Sequence, residues 1–119
     1  MHNFKELKVW QEGMSLAKDI FIVTRNFPTE EKYGLVSQMN RCTISIASNI
    51  AEGAGRGSNK EFNHYLNIAL GSCFELETQL LLSNDFNYIT KEQTQLLTEK
   101  ACKVQKMLNG LKKSICQTS

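Results

Sequence analysis

One short stretch of this sequence combines glycines, an arginine and a helix-start signal, and it is where the chain could bind an anion. The stretch is Gly53-Ala54-Gly55-Arg56-Gly57, and Ser58 follows it directly. Ser58 and Glu61 have the spacing of a capping box, which predicts a helix start with free backbone N–H groups. Such groups beside an arginine can hold a phosphate or a carboxylate. No Lys-Ser or Lys-Thr pair follows the last glycine, so the stretch lacks the phosphate-loop pattern.

The same region also supports a purely structural interpretation. Asn49 falls on an apolar helix stripe, where a polar side chain is costly unless it is hydrogen-bonded. Gly53 suits a left-handed helix end, and Arg56 could pair with an acidic neighbour, either Glu52 or Glu61. The residues predicted to form this structural corner are Asn49, Glu52, Gly53, Ser58 and Glu61.

A second candidate for anion binding is the C-terminal quarter of the chain. Residues 91–119 contain six lysines and two glutamates (+4), whereas residues 1–90 hold eight basic and ten acidic residues (−2), which together give +2. Lys103, Lys106 and Lys113 fall on one polar helix face. Such a face is often simply solvated, but repeated around an oligomer it would attract RNA or DNA. The predicted nucleic-acid contacts are Arg56, Lys103, Lys106 and Lys113.

The sequence contains no residue set that is typical of catalysis or metal binding. His64 has no histidine or cysteine at ligand spacing, and no Glu-x-x-His motif is present. The four cysteines, at positions 42, 73, 102 and 116, are too far apart for a zinc knuckle or a redox pair. We therefore expect no enzyme activity, no metal, no cofactor and no small-molecule substrate.

The elements that position these residues are four amphipathic helices, because four segments repeat apolar residues every three or four positions. They are predicted over residues of about 5–26, 30–54, 58–83 and 90–115. Pro28, the glycine stretch and a capping box at Thr90 and Gln93 mark the breaks. A chain of 119 residues with 41% hydrophobic residues has the composition of one globular domain. We predict one all-α domain over residues 1–119, an antiparallel up-down-up-down four-helix bundle.

The first helix carries two apolar stripes about 100° apart. One stripe contains Trp10, Met14, Ala17, Phe21 and Thr24; the other contains Val9, Leu16, Ile20, Val23 and Phe27. The third helix adds a flank with Leu70, Phe74 and Leu81. Broad stripes can face two neighbours inside one bundle, but a small core cannot cover all of these side chains. We therefore expect a homo-oligomer, with Ile20 and Phe74 as candidate interface residues.

The N-terminus lacks the basic and apolar segments of a signal peptide. The longest uninterrupted apolar run, residues 20–23, is far shorter than the ~20 residues needed to span a bilayer. We expect a cytoplasmic protein that does not contact a membrane.

Several sequence blocks go beyond what any helical bundle requires. They are Leu7-Lys8-Val9-Trp10-Gln11, Phe27-Pro28, Tyr33-Gly34-Leu35, Gln38, Arg41, Asn49-Ile50-Ala51-Glu52-Gly53, Gly55-Arg56, Ser58, Glu61-Phe62, Ile68-Ala69, Gly71-Ser72 and Glu75. With these blocks the chain, over roughly residues 4–112, resembles the four-helix-bundle family of 23S rRNA intervening-sequence proteins. The resemblance implies an antiparallel bundle that assembles into rings of five, and some members are encoded within 23S rRNA genes.

A related branch, the accessory variability protein of diversity-generating retroelements, binds nucleic acid and a reverse transcriptase through a more basic pentamer. The resemblance and the charge distribution together predict a non-enzymatic homopentamer that binds nucleic acid, chiefly structured RNA, through phosphate contacts. The alternative is a scaffold that binds another protein and has no nucleic-acid role.

Overall fold

The computed structural model describes residues 2–118, with side chains through Cys116, and contains four long helices. These are α1 (Lys8–Thr24), α2 (Leu35–Ala54), α3 (Asn59–Asp85) and α4 (Lys91–Thr118). Short 3₁₀ turns at Phe4–Glu6 and Thr29–Glu31 precede α1 and α2. The described part of the chain has no strand, and none of its helices is long and apolar enough to cross a membrane.

Each helix packs against its neighbour in sequence, and α1 also packs against α4, which closes the bundle. Helices α1 and α4 are antiparallel: Glu12 of α1 contacts Lys103 of α4, and Asp19, later in α1, contacts the earlier Lys100. The predicted all-α, up-down-up-down four-helix bundle is therefore confirmed. Its principal extents are 46 × 23 × 20 Å.

The core is a column of large apolar side chains from all four helices. Its most deeply buried members are Leu16, Ile20, Met39, Ile46, Ile50, Phe62, Leu66, Leu76, Leu80, Val104 and Leu108. Removing these side chains from water is the main driving force that holds the helices together.

In α1 the core-facing stripe is the one that contains Val9, Leu16 and Ile20. Ile20 is 0% exposed, so the prediction that it lies in an interface between copies is wrong. Gly13 belongs to the same buried stripe and faces α2, where a Cβ atom would be in ordinary contact with Ile46 Cγ2 at 3.5 Å. The other stripe is divided: Met14 and Phe21 are exposed, whereas Thr24 is 3% exposed. Trp10 of that stripe packs against the edge of the core.

Helix α2 starts at Leu35, about five residues later than predicted, because Thr29–Glu31 forms a separate 3₁₀ turn. The side chain of Glu31 caps the helix: its Oε1 accepts a hydrogen bond from the Leu35 N–H at 3.2 Å. A Cβ atom at Gly34 would lie 2.9 Å from that carboxylate oxygen. Helix α1 likewise starts at Lys8 instead of about residue 5, since Phe4–Glu6 is a separate turn.

A residue far along the chain hydrogen-bonds to the Glu31 carboxylate that caps α2. Tyr88, in the connection between α3 and α4, donates its hydroxyl proton to Glu31 Oε2 at 2.8 Å. This hydrogen bond to a carboxylate raises the pKa of Tyr88 above its ordinary value. The two connections at this end of the bundle are thereby tied together.

Replacing Tyr88 with phenylalanine should lower the melting temperature at neutral pH and change its dependence on alkaline pH. The folded pKa of Tyr88 is raised, so the stability from this bond is present below the unfolded pKa. It is lost as the pH rises through the folded pKa. The difference in melting temperature between the two proteins should therefore shrink as the pH rises from about 8 to about 11. A gap that widens with pH would contradict this account.

Both predicted N-caps are present, and the box at Thr90 and Gln93 is complete, whereas Ser58 and Glu61 form one of the two hydrogen bonds of such a box. At the start of α3, Ser58 Oγ accepts from the Glu61 N–H at 3.2 Å. At the start of α4, Thr90 Oγ1 accepts from the Gln93 N–H at 3.0 Å, and Gln93 Oε1 accepts from the Thr90 N–H at 2.9 Å. These caps satisfy N–H groups that would otherwise lack partners, and they fix the two helix starts that were predicted to within one residue.

Candidate functional site

The glycine-rich corner between α2 and α3 has a different geometry from the one predicted. Gly53 is helical, and no glycine among the described residues has a positive φ, so the left-handed role assigned to Gly53 is wrong. Its function is close packing: a Cβ atom there would lie 2.8 Å from Tyr65 Cβ and 3.2 Å from Phe62 O. Gly53 is therefore where α2 and α3 come closest at this end.

Arg56 lies in the turn and its guanidinium is already in contact with protein groups. Its Nη2 donates to the Tyr65 hydroxyl at 2.5 Å and lies 3.6 Å from the Glu52 carboxylate. The guanidinium carbon is 4.8 Å from the centre of the Tyr65 ring. Of the two acidic partners considered, Glu52 is thus the one in contact. The Arg56 side chain remains 38% exposed, so one edge can still reach an anion in solvent.

Asn49 and Glu52 do not share a network. The Asn49 amide donates to Ser45 O at 2.8 Å and to Ser45 Oγ at 3.0 Å, both one turn back on its own helix. Ser45 in turn shares a 3.0 Å hydrogen bond with Ser72 of α3. Asn49 therefore supports a polar link between α2 and α3 through Ser45.

Replacing Asn49 with alanine should cost about 0.5–1.5 kcal/mol of unfolding free energy, the contribution of an ordinary hydrogen-bonded side chain. The expected cost is modest because Asn49 is half-buried and its partners belong to its own helix. Chemical denaturation of Asn49→Ala measures it. Nucleic-acid binding should be unchanged, and an unchanged stability with lost binding would move Asn49 from the structural to the functional residues.

The lysines of α4 divide into two groups. Lys103 contacts Glu12 of α1 at 3.0 Å, and Lys100 contacts Asp19 and also donates to Ser15 at 3.2 Å. These two cations are largely offset and hold α4 against α1. Lys106 and Lys113 are exposed and have no acidic partner within the described residues. Of the three predicted nucleic-acid-binding lysines, Lys103 therefore differs in being paired with an acid.

A basic cleft lies between α3 and the last turns of α4. Its volume is about 620 Å³, and its lining includes Lys112, Lys113, Asn63 and Asn109 but no acidic side chain. Lys112 was not among the residues selected from the sequence. It directly precedes Lys113 in the sequence, and a one-residue step places it about 100° away around the helix. The Asn59 amide donates to Ile115 O at 3.3 Å, which places this cleft at the same end of the bundle as Arg56.

A polar seam runs along one side of the contact between α2 and α3, and sequence reasoning missed it as a unit. Its residues lie at helical spacing on two antiparallel helices: Gln38, Arg41, Cys42 and Ser45 on α2, and Ser72, Glu75 and Gln79 on α3. Gln38, Arg41, Ser72 and Glu75 are among the residues that carry the family resemblance. That shared membership was the one sequence signal that could have grouped them. They line an open cleft of about 360 Å³.

The thiols in and behind this seam are poor nucleophiles. Burial, followed by the nearby Glu75 carboxylate, raises the pKa of Cys42 to about 11, and burial raises that of Cys73 to about 12. Cys42, Cys73 and Cys102 are free thiols. Among the described residues, no group of three or more His, Cys, Asp or Glu side chains could hold a metal ion.

Two apolar surfaces are left exposed on the bundle. The first, the α1–α2 groove, has a volume of about 490 Å³ and is lined in part by Met14, Phe21, Ile22 and Ile44. The second, the α3 face, carries Ile68, Phe74, Leu81 and Leu82, all exposed. Phe74 is 53% exposed in the single chain, and its role in an interface stays a prediction.

Comparison with known proteins gives a consistent result over most of the chain. The family model described as 23S rRNA-intervening sequence protein matches residues 5–110. Among solved structures, the chain is similar to a protein of unknown function from the S23 ribosomal protein family of Bacteroides thetaiotaomicron. The two share 28% sequence identity with a TM-score of 0.79, over 88% of this chain and 98% of that chain. No curated protein matches the chain.

Proposed function

Because the chain belongs to the 23S rRNA-intervening sequence protein family, we propose that it is a cytoplasmic, non-enzymatic homo-oligomer that binds structured RNA through phosphate contacts. The basic cleft between α3 and α4 carries this proposal. It joins two lysines without acidic partners to two asparagine side chains, at a bundle end where Arg56 is also partly exposed. Lysine and asparagine side chains are common donors to phosphate oxygens.

The composition of the cleft favours contacts to the backbone of the nucleic acid. Its lining contains no aromatic ring on which a base could stack. Tyr65, the aromatic residue nearest to Arg56, is occupied by the guanidinium. Binding of this kind tolerates many sequences and depends on the shape and the phosphate spacing of the RNA.

Assembly would multiply the small positive charge of one chain and so strengthen its attraction for RNA. One chain carries a net charge of only +2, and five copies would carry five times that, or +10, with the basic cleft repeated around the assembly. Repetition also raises the effective concentration of each cleft once the first has bound. The homopentamer implied by the family resemblance is the assembly that we propose.

The α1–α2 groove and the α3 face are different surfaces of one chain, so a contact between them would be heterologous. Heterologous contacts generate a closed ring when the rotation between copies allows it. Both surfaces are apolar and exposed to solvent in the single chain. We propose that each copy covers the groove of the next with its α3 face.

Replacing Lys112 and Lys113 together with glutamine should weaken RNA binding and flatten its salt dependence. Each lost phosphate contact should reduce the slope of log affinity against log salt by about 0.7 to 0.9. Fluorescence anisotropy with a structured RNA at about 50 and about 200 mM salt measures both quantities. The matched control is Lys32→Gln with Lys91→Gln, the same charge change at the opposite end of the bundle.

Lys103→Gln should change binding less than the Lys112 and Lys113 pair, because Glu12 already offsets its charge. Equal losses in the control and the cleft variant would mean that net charge alone binds the RNA. If structured RNA does not bind at about 50 mM salt, the nucleic-acid proposal fails. A duplex DNA of equal length tests whether the cleft distinguishes RNA from DNA.

The α1–α2 groove supports a second candidate function, a scaffold for another protein. Exposed apolar patches often mark protein–protein interfaces, and Phe21, Ile22 and Ile44 are exposed along this groove. A chain that stays monomeric and does not bind RNA would favour this function.

A further inference from the structure

The polar seam between α2 and α3 forms a small site whose two walls have opposite hydrogen-bonding character. On the α2 wall, Gln38 and Arg41 lie one turn apart; the guanidinium has only donors, and the Gln38 amide can donate through its NH₂ group. On the α3 wall, Glu75 and Gln79 lie one turn apart and offer oxygen acceptors. A cation on one wall and a carboxylate on the other, each beside a glutamine amide, suit a ligand that bridges the two helices.

One acceptor of the α3 wall is buried without a partner. Gln79 is 8% exposed, and its Oε1 has no hydrogen-bond partner within the described part of the molecule. A buried polar oxygen of this kind costs free energy unless it is bonded, so native proteins rarely leave one unpaired. Because the Gln79 side chain borders the cleft, rotation of its amide would bring this oxygen within reach of a ligand N–H group.

The two charged groups of the cleft are also available. Arg41 forms no ion pair or side-chain hydrogen bond within the described residues, although Glu75 lines the same cleft. The Glu75 carboxylate accepts only a weak bond, 3.6 Å long, from the Cys42 thiol. A guanidinium and a carboxylate that face one cleft without pairing leave room for a ligand that carries both complementary charges.

We propose that this cleft binds a small zwitterion of the α-amino-acid type, as a ligand that is held and not converted. The ligand carboxylate would accept from Arg41 and Gln38, and its ammonium group would donate to Glu75 and the unpaired Gln79 oxygen. At about 360 Å³ the cleft is large enough for a free amino acid. The neighbouring hydroxyls of Ser45 and Ser72 favour a short polar side chain.

Other small ligands fit these residues less well. The lining has no aromatic side chain for a nucleobase to stack on. A simple anion would satisfy Arg41 but would leave the Gln79 oxygen unpaired and would approach the Glu75 carboxylate. A simple cation would be repelled by Arg41. The zwitterion is the class that satisfies both walls, and this inference does not depend on RNA binding.

The test is a titration of the full chain with free L-serine, monitored by amide chemical shifts in NMR spectra. L-serine up to about 10 mM should shift the amides around Ser45, Ser72 and Gln79. N-acetyl-L-serine, which lacks the ammonium charge, and L-serinamide, which lacks the carboxylate, should each bind at least about tenfold more weakly. Equal binding of N-acetyl-L-serine would identify a plain anion site at Arg41 and overturn the proposal.

Variants of each wall complete the experiment. Arg41→Gln and Glu75→Gln should each weaken L-serine binding at least about tenfold, whereas the control Arg25→Gln outside the cleft should not. Gln79→Met should keep or raise the melting temperature, since it removes an unpaired buried oxygen, while it weakens binding. An absence of shifts in the wild-type chain at about 10 mM L-serine would also overturn the proposal, whatever the outcome for RNA.

Discussion

Replacing Phe21 with glutamate should convert the proposed oligomer into monomers of 13.5 kDa that remain folded. Phe21 is 58% exposed in the single chain and lies in the α1–α2 groove. A glutamate there costs little in the monomer, but an interface would bury it without a partner, at several kcal/mol per copy. Sedimentation velocity at micromolar concentration measures the change, and far-ultraviolet circular dichroism should show unchanged helix content.

Two further variants make this result specific. Tyr33→Glu places the same charge at a residue before α2 that is 87% exposed and lines neither apolar surface, and it should leave the assembly intact. Ile20→Glu buries a charge in the core and should unfold the chain instead of dissociating it. A wild-type chain that sediments as a monomer would contradict the assembly, and a Phe21→Glu chain that stays oligomeric would exclude the groove as its interface.

Replacing Gly53 with alanine should lower the free energy of unfolding by about 1–3 kcal/mol, the usual cost of overfilling a packed contact. The new Cβ atom would lie 2.8 Å from Tyr65 Cβ and 3.2 Å from Phe62 O, atoms that move only if the helices move. The loss is expected although alanine is the better helix former by about 1 kcal/mol. Urea denaturation at a fixed protein concentration measures it.

Gly110 provides the matched control, because a Cβ atom there would meet nothing within 4 Å. Gly110→Ala should raise the free energy of unfolding by up to about 1 kcal/mol, through helix propensity alone. The two glycine-to-alanine changes should therefore have opposite signs. A stabilising effect at Gly53 would mean that α2 and α3 can separate at this corner without cost.

The sequence determined the local structure because local structure depends on neighbouring residues. Apolar spacing predicted four helices, and the capping boxes at Ser58 and Thr90 located two of their starts. The predicted start of α2 is too early, because the helix is capped by Glu31. Tyr88, 57 residues later in the chain, hydrogen-bonds to the same carboxylate. A bond between residues so far apart in sequence leaves no local pattern.

Only the tertiary structure decided which surfaces face the core and which charges remain free. The two stripes of α1 are similarly apolar, and only packing against the other helices places Val9, Leu16 and Ile20 in the core. Lys103 and Lys113 are equivalent in sequence, but only Lys103 meets an acid on α1. The α2–α3 cleft exists because two antiparallel helices bring separate polar residues into one seam. These outcomes depend on distances between helices, which a one-dimensional pattern of residue types does not encode.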